Sequence, residues 1–244
     1  MRITRAFVDA PLAPGVELAL PEHAANHLVR VLRLREGDPC VLFNGDGHDH
    51  PARLVAVGKR EVRARVEARI AVERESPLRL VLLQGVARGE KMDLILQKAT
   101  ELGVSAIRPL FSERSEVRLD EARAEKRLAH WRQVVASACE QCGRATVPEV
   151  AAPVALHEAL VALPHDAFGL LLDPEGAHGL RTLALDGSRT LCLAVGPEGG
   201  WSPRDREHLR AAGFAGLRLG PRVLRTETAG LAAIAALQAL YGDI

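Results

Sequence analysis

The segment Gly196-Pro197-Glu198-Gly199-Gly200 follows the apolar run 190–195. One loop and one helix later comes Leu219-Gly220-Pro221-Arg222-Val223-Leu224-Arg225-Thr226-Glu227-Thr228-Ala229. Each segment places glycines directly after a run that is typical of a buried strand. In an open α/β sheet, ligands bind at the carboxyl ends of the strands. Two such segments close in sequence therefore predict one small-molecule pocket with walls made largely of main chain, although single segments of this kind are usually only tight turns.

Apolar runs and helical patterns alternate through the second part of the chain. The other runs that predict buried strands are 78–84, 104–110, 168–173 and 217–219. Between them, Met92, Ile95, Leu96 and Ala99 have the spacing of a helix that packs on a sheet. A last helix is predicted from Glu227 to Leu240, with Thr226 as its cap. This alternation predicts a mostly parallel sheet covered on both faces.

The first seventy or so residues have a different pattern, with short strand-like runs separated by polar turns. Asn44-Gly45-Asp46-Gly47 is typical of a hairpin turn, and residues 22–34 predict one short helix. Closely spaced strands of this kind favour a small β-barrel. A polar, proline-terminated linker over 72–77 leads us to predict two domains, 1–72 and 73–244.

Composition excludes several classes of protein. The 244 residues are 48% hydrophobic and 26% charged with a net charge of +1, which is typical of a soluble globular protein and does not identify a polyanionic partner. Four cysteines are too few for a disulfide scaffold, and neither Cys139-Glu140-Gln141-Cys142 nor His48-Asp49-His50 has the partners of a metal site. The N-terminus lacks a signal-peptide pattern, and the most apolar stretch, 229–241, is too short to cross a bilayer. We expect a cytoplasmic protein without metal or membrane attachment.

The glycine segments do not match the common phosphate-binding motifs. The chain has no GxxxxGK[ST] sequence, and no GxGxxG motif opens a helix after the first strand of the α/β part. A ligand with a flat apolar ring and hydrogen-bonding edges fits better, because main-chain amides and Leu193, Leu219 and Leu224 would surround it.

The same two segments resemble the signature of the knotted, SPOUT-class RNA methyltransferases. Lys98-Ala99-Thr100-Glu101-Leu102-Gly103-Val104, Glu140-Gln141-Cys142-Gly143-Arg144 and His27-Leu28-Val29-Arg30-Val31-Leu32-Arg33 match as well. More narrowly, the chain resembles the family that methylates N3 of a uridine in 16S ribosomal RNA of the small subunit. The resemblance implies an α/β, parallel-sheet methyltransferase domain with a trefoil knot, an N-terminal PUA-like RNA-binding β-barrel, S-adenosyl-L-methionine as cofactor, and a homodimer.

The resemblance also implies which residues bind the cofactor, and the chemistry of methyl transfer indicates which residues near them act in catalysis. Predicted to bind the cofactor are Leu172, Val195, Gly196, Pro197, Glu198, Gly199, Gly200, Leu219, Gly220, Val223, Leu224, Thr226, Thr228 and Ala229. Uracil N3 is protonated at neutral pH, so a base, or donors that stabilise the uracil anion, should contribute. Arg225 is the candidate anion stabiliser, with an ion pair to Glu198 or Glu227 as its alternative role. Glu198 and Glu227 are the candidate bases. Their alternative roles are to balance the positive charge of the cofactor or to cap the last helix.

RNA contacts are expected from both domains. The candidates are Arg2, Arg5, Arg30 and Arg33 in the first domain, and Lys91, Lys98, Arg114 and Arg144 in the second. For each residue a solvated surface position is the alternative. Aromatic residues make up only 3% of the chain, so recognition through RNA shape and phosphates is favoured over base stacking. The expected partner is ribosomal RNA or the small ribosomal subunit. The alternatives are a knotted methyltransferase that acts on tRNA or large-subunit RNA, and a non-catalytic ribosome-assembly factor.

Overall fold

The computed structural model describes residues 4–117, 120–183 and 190–244. The chain forms two units. The first contains the residues up to Glu75 together with Ala136–Val147. The second contains Ser76–Val135 and Pro148–Ile244.

A sheet with one parallel pair and otherwise antiparallel pairs forms the first unit. Its strands are β1 (Arg5–Phe7), β2 (Glu17–Ala19), β3 (Pro39–Phe43), β4 (His48–Val57), β5 (Val62–Val66) and β6 (Ile70–Ala71). They pair in the order β1-β3-β4-β5-β2, and β6 pairs with β4. Alternate residues of β5, namely Val62, Ala64 and Val66, are buried in the core of this unit, as expected for a sheet with one covered face.

The predicted turn is present, and the predicted helix differs from expectation. Between β3 and β4, Gly45 and Gly47 both have a positive φ, and Asp46 N donates to Asn44 Oδ1 at 3.2 Å. The helix predicted over 22–34 is instead a short α-helix α1 (Glu22–Ala25) followed by a π-helical turn over Asn26–Val31. The chain leaves the helix before Leu34, because Leu28 and Leu34 both pack on the core.

A distant segment, Ala136–Val147, completes the first unit. Phe7 N, on β1, donates to Glu140 Oε1 at 2.9 Å, and Arg5 Nη2 donates to the Arg144 carbonyl at 2.9 Å. Nothing local in the sequence indicates this partnership, because the partners lie far apart along the chain.

An entirely parallel sheet forms the second unit. Its strands are β7 (Leu80–Gly85), β8 (Ala106–Phe111), β9 (Glu149–Val150), β10 (Val154–Ala155), β11 (Phe168–Leu172), β12 (His178–Gly179), β13 (Leu191–Val195) and β14 (Ala215–Arg218). The order is β10-β8-β7-β13-β11-β14-β12, with β9 beside β8. Every residue of β7 and β13 is buried, which explains why β13 is a continuous apolar run and why β7 is apolar as far as Leu83.

The α-helices after α1 are α2 (Glu90–Glu101), α3 (Glu121–Cys142), α4 (Leu156–Val161), α5 (Pro203–Ala211) and α6 (Thr226–Tyr241). They belong to the second unit, except that the residues of α3 from Ala136 onward belong to the first. The predicted apolar stripe of α2 is buried, and Gly103 follows that helix with a φ of 83°. Helix α5 begins at a capping box, in which Ser202 Oγ accepts from Asp205 N and Asp205 Oδ2 accepts from Ser202 N. Within the residues that the structure describes, no helix has the length and apolar character needed to cross a membrane.

The predicted cap of the last helix is wrong. Thr226 is the first residue of α6, and the capping position belongs to Arg225, which makes no side-chain cap hydrogen bond. The Thr226 hydroxyl is used elsewhere, because it accepts from Gln84 Nε2 at 3.0 Å and donates to the Gly196 carbonyl at 2.5 Å.

Candidate functional site

A cavity of about 420 Å³ lies at the carboxyl ends of β11, β13 and β14. Strand β11 lies between the other two, so the loops that follow β13 and β14 face each other across the end of β11. The cavity is lined by Lys91, Arg114, Leu172, Asp173, Pro174, Val195, Gly196, Pro197, Glu198, Gly200, Trp201, Arg206, Leu217, Leu219, Gly220, Arg222, Val223, Leu224, Arg225, Thr226, Glu227 and Ala229. The structure thus brings the two glycine segments together into one pocket.

All but two of the residues that the resemblance assigns to the cofactor line this cavity. The exceptions are Gly199 and Thr228. Leu193, which was also expected beside the ligand, is fully buried within β13 and does not line the cavity. A Cβ atom on Gly199 would lie 2.8 Å from the Arg114 carbonyl oxygen, so Gly199 packs against the neighbouring 112–117 loop. Thr228 is exposed in the first turn of α6. A cofactor role for these two residues stays a prediction.

Some lining residues were missed by sequence reasoning. Asp173 and Pro174 directly follow β11, and that position at a strand end was a usable signal. Arg206 is one turn into α5, and Arg222 lies within the second glycine segment. Trp201 is buried in the core and also lines the cavity.

Buried hydrogen bonds connect the end of β7, the first residue of α6 and the 196–200 loop. The amide of Gln84, fully buried at the end of β7, donates to the Gly85 carbonyl at 2.9 Å and to Thr226 Oγ1 at 3.0 Å. Thr226 Oγ1 in turn donates its proton to the Gly196 carbonyl. Each of these hydrogen bonds has one possible direction, because an amide nitrogen only donates and a carbonyl only accepts. Gln84 therefore positions the start of α6 and the 196–200 loop relative to each other without lining the cavity.

Within the 196–200 loop, the Glu198 side chain also holds the loop in place through contacts with residues outside it. Glu198 Oε1 accepts from the backbone N–H of Arg88 at 3.1 Å and from Lys91 Nζ at 3.2 Å. Burial acts to raise the pKa of Glu198, but the Arg88 and Glu198 backbone N–H groups and Lys91 outweigh it, so its pKa lies below the ordinary value of 4.5. A carboxylate held in this way is a weak proton acceptor, and its contacts favour a tethering role.

Arg225 and Glu227 differ from Glu198 in having unused polar groups at the cavity wall. Arg225 is exposed, and in the described part of the chain it forms no ion pair with Glu198 or Glu227. The Oε2 atom of Glu227 is buried without a hydrogen-bond partner among the described residues. A buried, unpaired carboxylate oxygen favours a cationic ligand beside it.

Asp173 connects the end of β11 to α5. Its side chain is fully buried and lies 3.4 Å from Arg206 Nη2 and 3.6 Å from Arg210 Nη2. Its Oδ1 also accepts from Glu175 N at 3.0 Å. Because these groups neutralise Asp173, we interpret the pair with Arg206 as support for the cavity floor.

Two of the arginines predicted to contact RNA are buried in the first unit. Arg5 forms an ion pair with Asp49 and lies over the Phe43 ring, 4.7 Å from its centroid. Arg144 is 4% exposed, and its Nε donates to Glu75 Oε1 at 3.0 Å. Both guanidinium groups have partners within the protein, so their RNA role stays a prediction that would require those pairs to open.

The other predicted RNA-contacting residues are placed as follows. Arg30 and Arg33 are exposed, Lys91 and Arg114 line the cavity, and Lys98 forms an ion pair with Glu101 at 2.8 Å. Arg2 lies outside the described residues. Arg114 Nη1 also donates to the Gly199 carbonyl at 3.3 Å, which joins its loop to the 196–200 loop.

Comparison with known proteins agrees with this architecture. A family model described as an RNA methyltransferase domain matches residues 74–238, and one described as an RNA methyltransferase PUA domain matches residues 20–67. The fold and the pocket thus define an α/β RNA methyltransferase with an N-terminal PUA-like domain.

Individual similar proteins identify one family within the RNA methyltransferases. The crystal structure of a ribosomal RNA small subunit methyltransferase E from Neisseria gonorrhoeae, bound to S-adenosyl methionine, is 42% identical, covers 99% of each chain and superposes with a TM-score of 0.94. Proteins of the same name from Mycobacterium bovis and Bacillus subtilis are 35% and 32% identical, over 96% and 89% of this chain and 90% of each relative. The chain belongs to the family of the ribosomal RNA small subunit methyltransferases E.

Proposed function

We propose that this protein transfers a methyl group from S-adenosyl-L-methionine to N3 of a uridine in 16S ribosomal RNA. The observation that carries the proposal is the cavity between residues 196–200 and 219–225. Its walls combine main chain and apolar side chains with Glu227 Oε2, which among the described residues has neither a hydrogen-bond partner nor an ion-pair partner. The similar Neisseria gonorrhoeae protein, which was solved with S-adenosyl methionine, supports the choice of cofactor.

The residues at the cavity fit this cofactor. Leu172, Leu219 and Leu224 provide apolar walls for an adenine ring. The unpartnered Oε2 of Glu227 provides a negative group for a positively charged ligand. When bound, the cofactor supplies an electrophilic methyl group on a positively charged sulfur. The protein must align that methyl group with the acceptor nitrogen, which is mainly a problem of positioning.

We assign distinct roles to the charged residues. Arg225, exposed at the cavity wall, donates to the uracil oxygens and stabilises the anion formed when N3 loses its proton. Glu227 balances the positive charge of the cofactor and is the remaining candidate base. Glu198 tethers the 196–200 loop to Arg88 and Lys91, and its lowered pKa argues against a base role.

Further parts of the proposal follow from family membership. We propose a homodimer, a trefoil knot in the second unit, domains 1–72 and 73–244, and a cytoplasmic location. The exposed Ala232, Ala239 and Leu240 on the highly apolar α6 support the homodimer, because they offer a surface for a second copy. The expected mass in solution, measured by light scattering, is that of two chains.

Methyl transfer to isolated substrates tests the function. Purified protein with labelled cofactor should methylate unmodified 16S RNA or 30S subunits, and mass spectrometry of the nucleosides should find 3-methyluridine. Arg225→Ala should lower kcat more than it weakens cofactor binding measured by calorimetry. Transfer exclusively to tRNA would contradict the substrate assignment, and absence of cofactor binding would favour a non-catalytic assembly factor.

A further inference from the structure

The segment Arg30-Val31-Leu32-Arg33 protrudes from the first unit, and all four residues are exposed. The chain on either side is anchored, because Leu28 is fully buried and Leu34 packs on the same core. Two hydrogen bonds close the protrusion, from Leu32 N to the His27 carbonyl at 3.1 Å and from Leu34 N to the Leu28 carbonyl at 3.0 Å. The protrusion is therefore a built part of the fold.

The centre of the protrusion is apolar. Val31 is 67% exposed and Leu32 is 42% exposed. Single exposed aliphatic side chains are common, but these two are adjacent. Val31 ends the π-helical turn over Asn26–Val31, a feature that is frequent at functional sites, and Leu32 directly follows it.

The backbone of the protrusion is strained at Arg33. Its φ is 60°, and it is the only non-glycine residue with a positive φ in the part of the chain that the structure describes. Glycine adopts this conformation without strain and is the usual residue at such a helix end. Because arginine is less favourable here, its side chain points to a function other than ending the helix.

The charges of the protrusion are unpaired, unlike those on the neighbouring strands. On β4 and β5, the arginines each pair with a glutamate: Arg53 with Glu67, Arg63 with Glu61, and Arg65 with Glu17. Within the described residues, neither Arg30 nor Arg33 has an ion-pair partner. Two unpaired guanidinium groups beside an apolar pair fit a partner that combines negative charge with a flat apolar surface.

We propose that the protrusion binds an unpaired nucleotide of the RNA substrate, with Arg30 and Arg33 on phosphates and Val31 and Leu32 against the face of the base. This inference rests on the proposed function for the identity of the RNA. Phosphates alone would not use the aliphatic pair, and an apolar protein surface would not use the two charges. An unstacked base beside its own phosphates uses both.

A salt titration of binding to unmodified 16S RNA separates the two kinds of contact. Arg30→Ala should lower the slope of log affinity against log salt by about 0.7 to 0.9, the value for one lost phosphate contact. The double variant Val31→Ser and Leu32→Ser should weaken binding about tenfold with an unchanged slope, because an apolar contact releases no counterions. The matched controls, Val161→Ser on the 86% exposed Val161 and Arg65→Ala on a paired arginine, should leave the affinity unchanged.

Arg33→Gly separates function from folding. Glycine relieves the strained φ, so the melting temperature should stay the same or rise while RNA affinity falls. A protein whose RNA affinity is unaffected by Arg33→Gly and by the double serine variant would overturn the inference. So would a shift in oligomeric state on sedimentation with unchanged RNA affinity, because the protrusion would then bind a second copy.

The proposed function is tested separately by methyl transfer in the unchanged protein. If that protein methylates 16S RNA and the variants bind RNA normally, the inference fails and the proposed function stands. If the unchanged protein binds RNA through the protrusion but transfers no methyl group, the proposed function fails and the inference stands.

Discussion

The two loops that wall the cavity are held very differently. The 196–200 loop is fixed by Thr226, by the contacts of Glu198 and by Arg114, and Pro197 packs directly on Gly85. In the second loop, Gly220 has a φ of 118°, Val223 is 80% exposed, and the described structure contains no hydrogen bond from residues 220–224 to another loop. The first wall is thus tied to the rest of the fold by several contacts, and we expect the second wall to adjust when the ligand binds. A ligand that orders the second loop would spend part of its binding free energy on that ordering.

The largest effect on stability and cofactor binding should come from disturbing the close contact between Gly85 and Pro197, which lies behind the 196–200 loop. A Cβ atom on Gly85 would lie 2.5 Å from Pro197 N, a backbone atom that cannot move without the loop. Gly85→Ala should therefore lower the free energy of unfolding by about 3 kcal/mol and abolish cofactor binding. Chemical denaturation and calorimetry measure both. The control is Gly179→Ala, where no atom lies within 4 Å of the added Cβ. Normal cofactor binding by Gly85→Ala would show that this contact does not shape the pocket.

The second largest effect on stability and cofactor affinity should come from breaking the hydrogen bonds that run from Gln84 through Thr226 to the Gly196 carbonyl. Thr226→Val keeps the shape but leaves the Gly196 carbonyl and one Gln84 amide hydrogen without partners, so it should destabilise the protein by about 2 kcal/mol. We expect the KM for the cofactor to rise more than kcat falls. Thr226→Ser restores the hydroxyl and should recover most of the affinity. Equal behaviour of the valine and serine variants would mean that the hydroxyl does not position the loop.

A smaller effect should follow from trimming the adjustable wall. Val223→Ala removes an exposed side chain, so the free energy of unfolding should change by less than about 0.5 kcal/mol. If the loop closes over the cofactor, the same change should weaken cofactor binding about fivefold, because Val223 becomes buried only in the complex. Isothermal calorimetry gives the affinity. Unchanged affinity would show that both walls are preformed.

The smallest effect should come from Glu198. Glu198→Gln removes a partly exposed ion pair with Lys91, which is worth at most about 1 kcal/mol. Since the pKa of Glu198 is lowered in the folded protein, its carboxylate stabilises the fold above its ordinary pKa of 4.5, and this contribution is lost as the pH falls through the folded value. The difference in melting temperature between wild type and Glu198→Gln should therefore narrow in acid. A collapse of kcat at neutral pH in this variant would instead identify Glu198 as the base.

The sequence was sufficient to predict the pocket because its signal is local. Glycine-rich turns after apolar strands mark strand ends, and a parallel sheet brings such ends to one edge. The same reasoning placed Arg225 and Glu227 at the cavity wall.

Long-range polar contacts were not predictable in the same way. Gln84 lies within an ordinary apolar run, and its link to Thr226 exists only in three dimensions. The sequence analysis predicted Arg5 and Arg144 as RNA-contacting charges. Their ion-pair partners, Asp49 and Glu75, cannot be identified from the periodicity of the sequence. The π-helical turn before Arg33 was also missed, because its pattern is close to that of an α-helix.

The membership of Ala136–Val147 in the first unit has a consequence for biosynthesis. While the ribosome has made only the first seventy or so residues, Phe7 N–H still lacks its acceptor, Glu140 Oε1. The N-terminal unit can therefore form its full set of contacts only after more than half of the polypeptide has been synthesised.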